Sequence, residues 1–217
     1  MDIKKACIVC NNHCNDLFLK GVIKYYQCTS CKTVFCGALD NDGLVGGEYE
    51  YERNEKENYL RIDRVNQVTS GINKDDVFIL DFGCGHGLFI EDLKKNGYVN
   101  VHGFDAYYEP YMQLPKKNLY HVVTMTECIE HTTYPFPEIN VIHRSMVDNG
   151  ILIIETSFVN IAEEEKIPLD SFFYINPQAG HSTVFSHHGL DVLLLTKGFM
   201  PMQHFNRHVR VYKKISK

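Results

Sequence analysis

No long hydrophobic run interrupts this 217-residue chain, and the stretch from Ile151 to Ile154 typifies its longest. Spanning a bilayer takes ~20 such residues, so no membrane segment is expected. Nor does an apolar stretch follow Met1-Asp2-Ile3-Lys4-Lys5, which argues against a secretory signal. Positive charge is not in excess either: 22 Lys and Arg stand against 27 Asp and Glu, a formal net charge of −5. A protein held to nucleic acid mainly by a basic surface would show the opposite balance. Low-complexity and collagen-like compositions are excluded too, because 44% hydrophobic and 23% charged residues are ordinary globular values. A chain of this size can bury a core and a cofactor. The expected compartment is the cytoplasm.

Eight cysteines in a reducing compartment point to metal more than to disulfides. Six of them lie in the first 36 residues, at positions 7, 10, 14, 28, 31 and 36. Cys7-x2-Cys10 and Cys28-x2-Cys31 are separated by seventeen residues, a spacing that fits one tetrahedral, four-thiolate Zn²⁺. Such a site has no open position, so its expected role is structural. It gives a folding rationale to a segment too short to build its own core. Cys14, Cys36 and His13 stand nearby as substitutes or outer partners.

The chain reads as a zinc ribbon over residues 1–40, a linker, leading helix and lid over 41–70, and a larger domain over 71–217. Asn41-Asp42-Gly43 and Gly46-Gly47 are turn signals. Tyr59, Ile62, Val65 and Val68 recur at helical spacing within Glu55–Val68. From Asp76 onward strands and helices alternate. Apolar runs at Val77–Phe82, Val101–Phe104, Tyr120–Thr126 and Ile151–Thr156 read as strands, Gly87–Asn96 reads as a helix stopped by Gly97, and a further helix is expected over His187–Thr196 with Ser186 as its N-cap and Gly198 as its stop. Met200–Phe205 and His208–Lys213 read as a closing antiparallel hairpin. Alternation of this kind predicts an α/β fold with a mostly parallel sheet covered on both faces.

The first of these strands runs into Asp81-Phe82-Gly83-Cys84-Gly85-His86-Gly87. Glycines let the backbone take positive φ and approach a ligand closely. Asp105 ends the next strand, where a carboxylate accepts hydrogen bonds from ribose hydroxyls. A dinucleotide loop is spaced G-x-G-x-x-G and faces pyrophosphate. Here the spacing is G-x-G-x-G behind Asp81, which suits S-adenosylmethionine (SAM), a nucleoside without phosphate.

On these residues the chain resembles the class I SAM-dependent methyltransferases over roughly residues 45–213. Leu80–Gly87 is similar to the family's first motif and Gly103-Phe104-Asp105 to its second. Val122–His131 looks like the "D-x-V-x-x-x-x-V-x-E-H" segment of one large subgroup, and Tyr174–Ser186 with Leu190–Phe199 like that subgroup's later loop and helix. Several members carry an N-terminal zinc ribbon with a second knuckle like Tyr25-Tyr26-Gln27-Cys28-Thr29-Ser30-Cys31. The resemblance implies a Rossmann-like, doubly wound sheet. It implies SAM contacts from Asp81, Gly83, Cys84, Gly85, Gly87, Asp105, Thr126 and Glu127, with Tyr49 in a lid. Val122 follows Asp105 by only seventeen positions, too few for the helix and third strand the family places there. That strand is therefore expected to be missing, with Ala106 or Tyr107 as substitute partners of adenine.

Methyl transfer needs proximity, alignment and in some cases a base for the acceptor's proton. Of eleven histidines, His102, His121, His204 and His208 lie in or beside strands and read as structural, and His187 and His188 as surface residues. His131 ends the third motif. His181 sits in the loop that in this fold overhangs the acceptor, and is the first candidate base, with His131 the alternative. Glu127 reads as a cofactor contact and Glu130 as a residue that orients a neighbouring ring. The leading reading is methylation of an O or N acceptor on a small molecule or sugar. An RNA methyltransferase is disfavoured, because residues 1–46 hold five Lys and no Arg against four Asp. A non-catalytic module that docks a protein through the ribbon is the third reading, and the intact glycine loop speaks against it. Nothing in the sequence fixes an oligomeric state.

Overall fold

The computed structural model describes residues 5–36, 55–202 and 204–216. In chain order the elements are β1 (Cys14–Lys20), β2 (Ile23–Cys28), β3 (Val34–Cys36), α1 (Glu55–Val68), β4 (Phe78–Phe82), α2 (Leu88–Lys95), β5 (Asn100–Phe104), β6 (Tyr120–Thr126), α3 (Phe136–Ser145), β7 (Met146–Glu155), α4 (Val159–Glu164), β8 (Thr183–Val184), α5 (His187–Leu195), β9 (Phe199–Pro201) and β10 (Val209–Lys214). They fall into two compact units. One takes Met1–Tyr49, Cys128–Pro137 and Thr156–Lys197, and the other takes Glu50–Glu127, Glu138–Glu155 and Gly198–Lys217. Among the described residues no helix is long and apolar enough to cross a membrane.

The second unit is built on a six-stranded sheet in the order β5-β4-β6-β7-β10-β9. β5, β4, β6 and β7 run parallel, and β10 pairs antiparallel with both β7 and β9. Parallel strands are covered on both faces and so read as nearly unbroken apolar runs, as Phe-Ile-Leu-Asp-Phe in β4 does. Ile79, Val101, Val122, Ile153 and Val211 join Phe89, Ile90 and Leu93 of α2 and Ile62 and Val65 of α1 in one core. Among the described residues no strand lies between β5 and β6, in keeping with the shortened connection. β5 is the sheet's edge, and a single 3₁₀ turn, Glu109–Tyr111, occupies the connection to β6. Tyr111 packs there against the core.

The closing hairpin forms as expected, and α1 matches its predicted span. The apolar stripe of α1 differs at one place. Tyr59 is 71% exposed, and Asn58 turns inward instead, donating to Asp92 at 2.8 Å. His121 is structural, its Nδ1 accepting the Phe78 N–H at 3.0 Å. Helices α3 and α4 and strand β1 went unpredicted.

The first unit holds the cysteine-rich strands in a four-stranded sheet of order β1-β2-β3-β8. β8 comes from the stretch after β7 and pairs Val184 with Val34 and Thr183 with Phe35. The Cys36 N–H continues this contact to the Ser182 carbonyl at 2.9 Å. Tyr25, Val34, Cys36, Val159, Ile161, Phe172, Tyr174 and Val184 share a core, so the short strands gain apolar partners from a distant part of the chain. The residues after β7 are thus not a bare loop: they carry α4, β8 and the capped start of α5, where Ser186 accepts from the Gly189 N–H.

Gly189 is fixed by this packing. A Cβ there would stand 2.0 Å from Thr33 Oγ1 and 3.2 Å from Ser186 Oγ. Overpacking of this kind costs about 1–3 kcal/mol. Gly189→Ala should therefore lower stability by roughly that amount in urea unfolding, although alanine is the better helix former. A neutral or stabilising result would show that α5 is not seated on the Thr33 turn.

Candidate functional site

The second unit brings most of the anticipated cofactor residues to the carboxyl ends of its parallel strands. Register sets Asp81 beside both Gly103 and Thr124 and Thr126 beside Glu155. Gly83, Gly85 and Gly87 take φ of 80°, 50° and 80°, a region where any Cβ is strained. The loop is thereby closed back on β5: the Gly83 and Cys84 N–H groups donate to the Phe104 carbonyl at 2.7 and 3.2 Å.

Asp105 locks this arrangement. Its Oδ2 accepts the Gly85 N–H at 2.9 Å, and its Oδ1 accepts from the Tyr107 and Tyr108 N–H groups at 2.9 and 3.1 Å. An ionised carboxylate offers about four acceptor directions, so room remains for a ribose hydroxyl. The bare glycine loop and this carboxylate acceptor fit a phosphate-free nucleoside such as SAM. Ala106 and Tyr107 follow directly, both exposed, and Tyr107 is 77% so. Cys84 is buried with its thiol toward Gly103, so only its backbone belongs to the loop. Tyr49 lies outside the described residues.

Two aromatic residues here were missed by sequence reading. The ring of Tyr108 lies 4.5 Å from that of His86 and 6.1 Å from that of Tyr111. Tyr111 covers Gly87 and Gly103 closely; a Cβ on Gly87 would meet its Oη at 2.3 Å. The signal was Tyr107-Tyr108-x-x-Tyr111 in a stretch too short for a strand. A further missed feature is Glu155 at the end of β7, which is bound by Arg64 and by Arg61, the latter at 3.3 and 3.4 Å. These pairs pin α1 to the carboxyl edge of the sheet. Glu127, just past β6, has φ of 45°, an unusual value for a non-glycine residue and frequent at functional sites.

The first unit holds the two histidines of interest. Glu130 is wholly buried. It accepts hydrogen bonds from the Tyr174 hydroxyl and, at 2.9 Å, from Thr156 Oγ1. Burial outweighs those bonds and pushes its carboxyl up to about 7. His181 Nδ1 lies 2.8 Å from the Tyr174 carbonyl, so it is the protonated nitrogen and Nε2 carries the lone pair. His131 bonds the Gly180 backbone, and its ring lies edge-on to His181 with centroids 5.0 Å apart. Desolvation by the surrounding chain lowers the pKa of both rings, His181 being half-buried and His131 still open to solvent on one side, which keeps the imidazoles neutral near pH 7.

The same unit gathers Cys7, Cys10, Cys28 and Cys31, whose sulfurs all lie within 4.8 Å of one another. The Cys7–Cys31 and Cys10–Cys28 separations are 3.6 and 3.4 Å. Four thiolates ~2.3 Å from a tetrahedral ion stand roughly 3.8 Å apart, so the cluster fits zinc with little movement. Knuckle N–H groups of Val9 and Cys31 point at Cys7 and Cys28 sulfurs at 3.4 Å. Cys14 and Cys36 fall outside the cluster: both are buried, and Cys36 donates to the Ser182 carbonyl at 3.4 Å. His13 is exposed.

Asp81 yields a pH test. It is buried beside Thr124, whose Oγ1 donates to it at 2.8 Å, and burial pushes its carboxyl up to about 6, against about 4 in an unfolded chain. Between those values the folded chain holds the extra proton. Its contribution to stability is therefore full below about pH 4 and is lost as pH rises through about 6. Asp81→Asn keeps the hydrogen bond without the charge. Relative to the variant, wild type should lose on the order of 1–3 kcal/mol across that window; parallel pH profiles in urea unfolding would refute this.

A family profile described as "Methyltransferase domain" matches residues 51–204. A SAM-dependent methyltransferase from Methanosarcina mazei is similar in structure at 16% identity and TM-score 0.52, the match covering 70% of this chain and 98% of that one. The magnesium protoporphyrin IX methyltransferase of Synechocystis PCC 6803 is similar at 16% identity and TM-score 0.51, covering 79% and 91%. Against the CurJ carbon methyltransferase the chain covers 73% of itself and spans about half, 54%, of that chain, at 13% identity and TM-score 0.48. A search of curated proteins found no match. The profile spans most of the chain, and the fold, the glycine loop and its acidic partner agree with it. The chain belongs to the methyltransferase-domain family and is a SAM-dependent methyltransferase with the class I fold.

Proposed function

We propose that this enzyme methylates an oxygen or nitrogen of a small molecule or sugar, and that its four-cysteine cluster holds a structural zinc. The observation that carries the cofactor half of this reading is the Gly85–Asp105 hydrogen bond. It joins a Cβ-free loop to a carboxylate with acceptor capacity to spare. When bound, SAM supplies a methyl carbon on a sulfonium centre, which moves to the acceptor's lone pair and leaves S-adenosylhomocysteine. Asp105 orients the ribose. Gly83, Gly85 and Gly87 let the backbone approach the methionine portion, with Asp81, Thr126 and Glu127 bordering the same strand ends. Ala106 and Tyr107 border the adenine.

On the acceptor side we assign His181 and His131. The acceptor's proton has to leave as its bond to carbon forms, and both rings offer an unprotonated nitrogen at neutral pH. Removing such a group typically lowers turnover ~10²–10⁴-fold. A small acceptor agrees with the nearly neutral ribbon and the overall negative charge.

Two measurements test the reading. Asp105→Ala should weaken SAM binding in isothermal titration by roughly 1.5–3 kcal/mol, the scale of a charge-assisted hydrogen bond, and Asp105→Asn by less. Unchanged affinity would remove Asp105 from the site. Elemental analysis should find about one zinc per chain, as four thiolates imply, with Cys28→Ser reducing metal content and stability together. A metal-free chain of undiminished stability would refute the zinc assignment.

A further inference from the structure

We propose that Glu130, His131 and His181 form a seat for one divalent first-row transition cation, separate from the four-cysteine cluster. The proposal rests on the acceptor-side assignment of the two histidines and specifies how they act. Each of the three residues offers a donor atom, and these atoms lie within 4.8 Å of one another. Around a cation with bonds of about 2.1 Å, donors stand roughly 3–4 Å apart. A modest rotation of His131, which is exposed, therefore closes the seat.

The surroundings are those a metal site requires. Ligating histidines nearly always donate their other ring N–H to a carbonyl or carboxylate, which fixes tautomer and orientation. His181 does this to the Tyr174 carbonyl at 2.8 Å, and His131 bonds the Gly180 backbone. The carboxylate ligand is held as well, by the Tyr174 hydroxyl and by Thr156 Oγ1. Tyr174 thus orients two of the three ligands, one through its carbonyl and one through its phenol. Each Glu130 oxygen keeps a second lone pair for a cation.

Donor chemistry sets the class of ion. Two imidazoles and one carboxylate suit Mn²⁺, Fe²⁺ or Zn²⁺, whereas thiolates select the softer ions. Three protein ligands leave open positions. An acceptor hydroxyl bound at one of them loses its proton to water at lower pH, because the cation stabilises the oxyanion. The imidazoles would then act as ligands to that cation and not as bases.

The test uses the full-length chain with its cysteine cluster zinc-loaded and Mn²⁺ as the probe, followed by the electron paramagnetic resonance signal of free Mn²⁺. Wild type should take up about one Mn²⁺ per chain, as one three-ligand seat implies. His131→Ala, at an exposed position that leaves the core intact, should weaken uptake by more than the ~10–100-fold that loss of an orienting partner causes. Tyr174→Phe should fall within that range. No uptake by wild type, or equal uptake by His131→Ala, overturns the seat. Transfer of labelled methyl groups to a panel of hydroxyl and amine acceptors separates the two proposals. No Mn²⁺ uptake together with lost transfer in His131→Ala overturns the seat and keeps the histidine assignment. Uptake lost in His131→Ala without any loss of transfer supports the seat and overturns that assignment.

Discussion

The carboxylate of Asp105 is the constraint on which the cofactor half of this enzyme depends. It ends an edge strand, and it accepts the N–H of Gly85 from one loop and those of Tyr107 and Tyr108 from the next. Three donors on one carboxylate hold two loops in one geometry. The glycines make that closure possible, since their left-handed backbone would strain any other residue. With the third strand missing, the connection after Asp105 is too short to be stabilised by sheet pairing. Tyr111 supplies the packing instead, pressed against Gly87 and Gly103 with no room for a Cβ at either position.

The other unit is organised around a buried acid. Glu130 has no exposure to water, and an isolated carboxylate in such a place would be costly. Tyr174 and Thr156 share the load by donating to it, and Tyr174 also fixes His181. The cysteine-rich strands belong to the same construction. β3 pairs with β8 two residues beyond His181, and Tyr25 donates to the His181 carbonyl at 3.1 Å. The short cysteine-rich strands thereby acquire a core, and the stretch just after His181 acquires a strand partner.

Much of this was legible in residue order. The glycine spacing, the apolar runs and the paired C-x2-C knuckles are local signals, each set by backbone conformation or by ligand spacing within a few residues. They placed Gly83, Gly85, Gly87 and Asp105 at strand ends, and α1 within its observed span. The gap between Asp105 and Val122 was enough to anticipate the missing strand, because seventeen positions cannot hold a helix, a strand and two turns. Tyr108 and Tyr111 were not legible, because their importance comes from what they cover. The Arg61 and Arg64 pairing with Glu155 joins positions more than ninety residues apart, and charge on a helix gives no sign of such a partner.

The sequence by itself determined the class of fold, the glycine loop and the four-cysteine cluster, since each rests on contacts among near neighbours or on covalent spacing. Tertiary structure alone decided which histidines meet. His131 and His181 stand fifty positions apart in the chain, and their edge-on approach over a shared acid follows from β8 joining the cysteine-rich sheet. Strand pairing between distant segments carries no local signature, because any extended run with unsatisfied N–H and C=O groups can make it. The choice among those runs is made by burial, and burial is settled only when the whole chain has folded.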